Sequence, residues 1–235
     1  MLSVLLKQAV ERQVIDALPC TVKLLPIPKS AAARFYDFDE FGRVVEAARA
    51  DGQAAYLIAL LGGEAGLRCG EIMALEWPDV DHAKRQLAVA RSEWKGHVTT
   101  TKGGRVRYVP MTTRLADALR QVRSLKGRRV VCDKKGTPLT QTEVQIIMRR
   151  VGRRANVKPG VHILKHTFCS HLAMRGAPAK AIQELAGHQD LATTQQYMHL
   201  SPAALDAAIR LLDQGTQTPR CGNKLEAAGT GSVTA

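Results

Sequence analysis

Apolar residues recur at three- and four-residue spacing over most of this chain and at two-residue spacing in one middle section. Leu2, Leu5, Leu6, Val10, Val14, Ile15 and Leu18 share a broad face, which predicts a helix over residues 2–18, ended by Pro19. Residues 19–33 carry Lys23, Pro26, Pro28 and Lys29 and read as an extended basic linker. Helical spacing returns after Asp37 or Asp39, either of which caps a helix reaching about Ala50, and again over residues 53–61. Between 80 and 110 the period shifts to two. Residues 86–91 alternate, and 98–102 and 105–109 flank Gly103 and Gly104, a hairpin signal with Lys102 at its tip. Helices are predicted at 112–126 and 140–155, the second opened by a Thr140/Glu143 capping box. Residues 161–200, punctuated by Gly176, Pro178 and Gly187, read as two short helices. Ser201-Pro202 opens a further amphipathic helix to Leu212, and residues 214–235 are polar and Gly/Thr-rich, the composition of a disordered tail. The pattern is mainly α with a small antiparallel β-sheet.

At 235 residues the chain is long enough to bury one sizeable core. Its formal net charge of +13 implies a polyanionic partner, most simply nucleic acid. Aromatic residues make up only 4% of the chain, so base stacking on an aromatic platform is disfavoured and binding to duplex backbone fits better. The charge is densest over residues 114–158, where thirteen Lys or Arg face three Asp or Glu; this composition suits phosphate contacts that position without reading sequence. The five cysteines are scattered and form no C-x-x-C, which points to reduced thiols and a cytoplasmic setting and away from a disulfide or zinc scaffold. No apolar run reaches membrane-spanning length and no signal peptide is visible.

Five of the seven histidines (His162, His166, His171, His188 and His199) lie within residues 161–200, close to Tyr197. None of their spacings is a metal motif, since no acidic third ligand stands at the required offset from His162 and His166. A tyrosine among cationic groups points to phosphate chemistry. The series His162-x-x-Lys165-His166-Thr167, Leu185-x-Gly187-His188 and Tyr197 resembles the C-terminal signature of the tyrosine recombinases, the phage integrase family. Upstream, Gly66-Leu67-Arg68-x-Gly70-Glu71 resembles the family's first arginine motif, and Thr101-Lys102-x-x-x-x-Arg107-x-Val109-Pro110 resembles its β-hairpin.

The resemblance implies a catalytic domain over residues 34–213, preceded by residues 1–18 as the remnant helix of an N-terminal DNA-binding domain. It implies site-specific strand cleavage and rejoining on double-stranded DNA, by several protomers in a tetrameric synapse, with neither metal nor cofactor. Tyr197 is then the nucleophile, His162 its base, Lys102 the acid for the leaving 5′-oxygen, and Arg68, Lys165 and His188 the donors to the phosphorane. His166, His171 and His199 are read as structural. The chain departs from the family at Lys165, where the pattern has arginine; lysine replaces a planar two-toothed fork with a point donor. A DNA-binding relative with impaired cleavage is the alternative that this departure leaves open.

Overall fold

The computed structural model describes residues 2–18, 20, 34–100, 104–122, 127–200 and 209–210. The chain divides into two compact units, Met1–Arg34 and Phe35–Ala235. In the first, helix α1 (Leu2–Glu11) is shorter than the helix expected over 2–18. Past Glu11 the chain turns, with Gln13 in the left-handed region at φ 55°. Of its apolar residues, Val4, Leu5 and Val14 are more than half exposed. The expected linker lies outside the described residues, Cys20 excepted.

The second unit is built around a helix with no polar face. Helix α2 (Phe38–Asp51) starts at Asp37, whose carboxylate accepts from Glu40 N–H while the Glu40 carboxylate accepts from Asp37 N–H, so Asp37 rather than Asp39 is the cap. Helix α3 (Gln53–Gly63) follows; Leu57, Ile58, Ala59, Leu60 and Leu61 are each at most 1% exposed. An all-apolar helix must be covered on every side, and α3 packs against α2, α4 (Cys69–Ala74), α5 (Thr113–Val122), α6 (Gln141–Arg154) and α7 (Val161–Met174). It ends in two glycines because its neighbours come close there. A Cβ on Gly62 would lie 2.8 Å from Leu164 Cβ, and one on Gly63 would lie 2.3 Å from the Phe41 ring.

After a 3-10 turn at Trp77–Asp79, five short strands form two antiparallel sheets: β1 (Val80–Asp81), β2 (Gln86–Val89) and β5 (Arg107–Pro110) in the order β1-β2-β5, and β3 (Arg91–Trp94) with β4 (His97–Thr100). The expected pairing of 98–102 with 105–109 is therefore corrected. The hairpin turn is Lys95-Gly96, both at positive φ (49° and 81°) as a twisted two-residue turn requires, while β5 pairs back onto β2 with Val109 opposite Leu87. Helix α6 is capped by the Thr140/Glu143 box and spans nearly the residues expected. Residues 161–200 hold three helices rather than two: α7, α8 (Ala179–Ala186) and α9 (Leu191–Met198). They close a second small core of Phe168, Cys169, Ala173, Ile182, Ala186 and Tyr197. The helix expected after Ser201 lies outside the described residues except for 209–210, which are helical, and the tail lies wholly outside them.

Candidate active site

The organising feature is the C-terminal turn of α8. Gly187 takes the left-handed conformation (φ 64°, ψ 44°) and ends the helix. Three successive carbonyls of this turn each accept a hydrogen bond from a different cation. Arg107 Nε donates to Leu185 O at 3.1 Å, Lys165 Nζ to Ala186 O at 2.5 Å, and Arg68 Nη2 to Gly187 O at 3.1 Å. Carbonyls at a helix C-terminus lack intrahelical partners and carry the negative end of the dipole, which makes them a natural anchor for cations.

Arg68 and Arg107 also meet at Glu71, on the first turn of α4. Arg107 grips the carboxylate with both Nη1 (2.9 Å) and Nη2 (2.7 Å); Arg68 adds its Nη1 (3.0 Å) and its backbone N–H (2.8 Å). Burial pushes the Glu71 carboxyl up, but the bond and charge of Arg107, then Lys165 and the Arg68 N–H, outweigh it and bring it down to about 2. A buried carboxylate with four donors is fully satisfied. Arg68, Arg107 and Lys165 thus outnumber the one carboxylate among them.

Lys165 lies on α7 and is only 7% exposed; its ammonium donates to Gly66 O at 2.7 Å as well as to Ala186 O. Burial, with Arg68 adding to it, lowers Lys165 to about 7 against the pull of Glu71. Arg68, by contrast, has a side chain 34% exposed.

Tyr197 sits on α9 and is 5% exposed. Burial raises its hydroxyl well above the ordinary tyrosine value, so the proton stays on oxygen. Burial also lowers His166, with His162 and Lys165 adding to the effect, so its ring is neutral. The Tyr197 hydroxyl and His166 Nδ1 share a hydrogen bond of 2.6 Å. His188 stacks on the tyrosine ring (centroids 6.2 Å apart, planes 11° apart) and shares a 2.9 Å hydrogen bond with the Thr194 hydroxyl. Burial first, then Lys165 and Arg68, lower His188 to about 4, which makes it a neutral hydrogen-bonding group at pH 7.

The structure thus brings Arg68, Lys165, His188 and Tyr197 to one site. His162, on the first turn of α7, is exposed and makes no hydrogen bond among the described residues. Lys102 lies outside the described residues. Two further residues, His166 and Arg107, stand among Arg68, Lys165, His188 and Tyr197. His166, read as structural, is the ring that meets the tyrosine; its place four residues after His162, on the same helix face, was the available signal. Arg107 stood within the hairpin motif, and the signal was a charged residue in register with buried Val109 on a strand. His171 is structural, donating from Nε2 to Tyr36 O at 2.9 Å and stacking on Phe38. Among the described residues no three His, Cys, Asp or Glu side chains are grouped to hold a metal ion, and no helix is long and apolar enough to cross a membrane.

The sequence profile of the phage integrase family matches residues 34–204. The chain belongs to that family. Among its integrase-family relatives, tyrosine recombinase XerA of Thermococcus kodakarensis is 36% identical over 147 residues, covering 60% of this chain and 49% of that protein. Tyrosine recombinase XerC of Erythrobacter litoralis is 30% identical over 202 residues, covering 83% of this chain and 62% of that protein. The chain spans about half the length of several curated relatives, as in the 49% of XerA. The fold matches a crystal structure of XerA recombinase (TM-score 0.61, 25% identity, 80% of this chain and 66% of that one). It also matches the Tn1549 transposon integrase in complex with a circular intermediate DNA (TM-score 0.70, 21% identity, 87% and 74%). Its architecture is that of an integrase-family catalytic domain, mostly helical with small antiparallel sheets.

Proposed function

We propose that this chain carries the catalytic part of a site-specific DNA recombinase that cuts and rejoins strands through a 3′-phosphotyrosyl intermediate, as in phage or mobile-element integration. The observation that carries the reading is a tyrosine hydroxyl hydrogen-bonded to a neutral imidazole and stacked on a second, next to cations held on the turn that bears the second. The Tyr197 oxygen attacks a DNA phosphorus, and the P–O5′ bond breaks. The tyrosyl proton goes to a histidine and the 5′-oxygen takes a proton from Lys102. Attack by a 5′-hydroxyl of a partner strand reverses the step and reseals the backbone. The phosphodiester energy is kept in the covalent link, so the reaction draws on no nucleotide.

The electrostatics support this division of labour. A tyrosine whose pKa is raised keeps its proton until a phosphate arrives, and Arg68, with a side chain 34% exposed and only two of its five guanidinium N–H groups bonded to described residues, can take that phosphate. Fixed cations and the neutral His188 then face the charge that builds on the phosphorane. His166 is the proton acceptor within reach of the resting hydroxyl. The base role of His162 rests on the family resemblance, and we assign His166 to holding the resting tyrosine. The formal charge of +13 supports double-stranded DNA as the partner. A tetramer of protomers on that DNA and a cytoplasmic setting complete the proposal, by resemblance to the family.

A second reading, a DNA-binding relative with impaired cleavage, draws on one observation: the Lys165 ammonium is buried and spends two donors on backbone carbonyls. One experiment separates the two. Nicked suicide duplexes drawn from the host's candidate attachment sites are incubated in EDTA with the chain and with Tyr197→Phe, and resolved on a denaturing gel. An adduct present with the first and lost with the second supports the recombinase. Binding without an adduct supports the impaired relative.

A further inference from the structure

We propose that Arg107 is a positioning residue of the cleavage site, fixing Arg68 through Glu71 and the turn at Gly187; this rests on the recombinase reading above. The two arginines share one carboxylate and one helix turn but are spent differently. Every nitrogen of the Arg107 guanidinium is committed to protein: Nε to Leu185 O, Nη1 and Nη2 to the two oxygens of Glu71. Its side chain is 12% exposed, against 34% for Arg68. Three of the five Arg107 N–H groups are thus engaged by protein, against two of the five of Arg68. By taking the two-toothed grip on Glu71, Arg107 leaves Arg68 a single side-chain bond there. The other Arg68 Nη donates to Gly187 O, so the shared carboxylate and the shared turn hold the two arms of its fork.

Three features make the grip rigid. Arg107 sits in β5 opposite Val89 of β2, so its backbone is held by the sheet. Arg68 caps α4, its N–H donating to the same Glu71 carboxylate and its carbonyl accepting from Ile72 N–H. The Arg107 side chain crosses the α8 turn so closely that a Cβ on Gly187 would lie 3.0 Å from its Nη1 and 3.1 Å from its Cδ. Gly187 is thus needed twice, for its left-handed backbone and for the passage of Arg107 over it. Finally, Arg107 occupies a core-facing strand position beside buried Val109, where a charge is costly unless it is fully paired. Arg107 ties sheet, α4 and α8 into one frame around Arg68.

The test has two arms, both on the full chain. In the first, ¹⁵N spectra of the guanidinium groups are recorded for the wild type, Arg107→Lys and Arg107→Met, with the Arg68 signals assigned by Arg68→Lys and folding checked by circular dichroism. The expected result is restricted Arg68 Nη rotation in the wild type, freed in Arg107→Met and partly restored in Arg107→Lys. In the second, single-turnover adduct formation is followed on the nicked duplexes at saturating DNA. Arg107→Met is expected to slow it about a hundredfold, the loss that roughly 1 Å of misplacement brings. DNA affinity should change less than twofold, and Arg107→Lys should recover about tenfold. Unchanged Arg68 signals in both variants would overturn the proposal, as would a loss of rate matched by a loss of DNA affinity. Where Arg107→Met does not fold, Arg107→Lys alone decides, through its Arg68 rotation. If the wild type forms no adduct, the recombinase reading fails, and the guanidinium spectra still settle whether Arg107 holds Arg68.

Discussion

Glu71, Lys165, His166, His188 and Tyr197 are shifted away from their ordinary values by nameable causes, and the shifts make measurable claims. Lys165 is lowered from 10.5 to about 7, chiefly by burial. Its folded value lies below the unfolded one, so between about pH 7 and 10.5 the folded chain binds fewer protons than the unfolded chain. Stability should therefore rise with pH across that window, while below about pH 7 the full cost of burying the ammonium is borne. Urea midpoints of the wild type and Lys165→Met at pH 7 and 9.5 test this: the wild type should gain on the variant, and parallel changes would show that Lys165 does not titrate there. Glu71 works in the opposite sense. Its folded value, about 2 against 4.5, stabilises the fold above the unfolded value, and the stabilisation is lost as pH falls through about 2. Two of the three histidines of α7, His162 and His166, are separable by rate. His162→Ala should slow adduct formation about a hundredfold, the scale of a lost general base. His166→Ala should slow it less than tenfold while raising the accessibility of Tyr197 to chemical iodination. A reversed order would make His166 the base.

At the scale of elements, the α8 turn matters most. Gly187→Ala puts a side chain at φ 64° and against Arg107, so it should destabilise the chain by about 1–3 kcal/mol and loosen the anchors of Arg68 and Lys165. Denaturant unfolding would register the change, and a loss under about 0.5 kcal/mol would contradict the assigned role. The turn also shows how much was legible beforehand. Leu185-x-Gly187-His188 was visible as a motif, and the α6 capping box and most helix cores followed from spacing. What spacing did not carry was three-dimensional sharing. Nothing local says that three carbonyls of one turn take cations from β5, α7 and the loop before α4. The hairpin was misassigned because Gly103-Gly104 is a stronger glycine signal than Lys95-Gly96, although the second forms the turn. Residues 161–200 read as two helices although Gly176 and Pro178 mark one break and Gly187 a second, which together separate α7, α8 and α9.

For the molecule as a whole, the excess of 13 positive charges predicts steep salt dependence. Binding to random duplex should be weaker than about 1 µM at physiological salt and should fall sharply between 50 and 200 mM, by anisotropy titration. Nanomolar, salt-insensitive binding would contradict a backbone-phosphate mode. The central claim, though, concerns one bond. The most direct measurement is proteolysis and mass spectrometry of the trapped protein–DNA complex. The predicted result is a single modified peptide carrying a 3′-linked nucleotide on Tyr197, with a free 5′-hydroxyl on the released strand. Attachment to any other residue, or through a 5′-phosphate, would contradict the account.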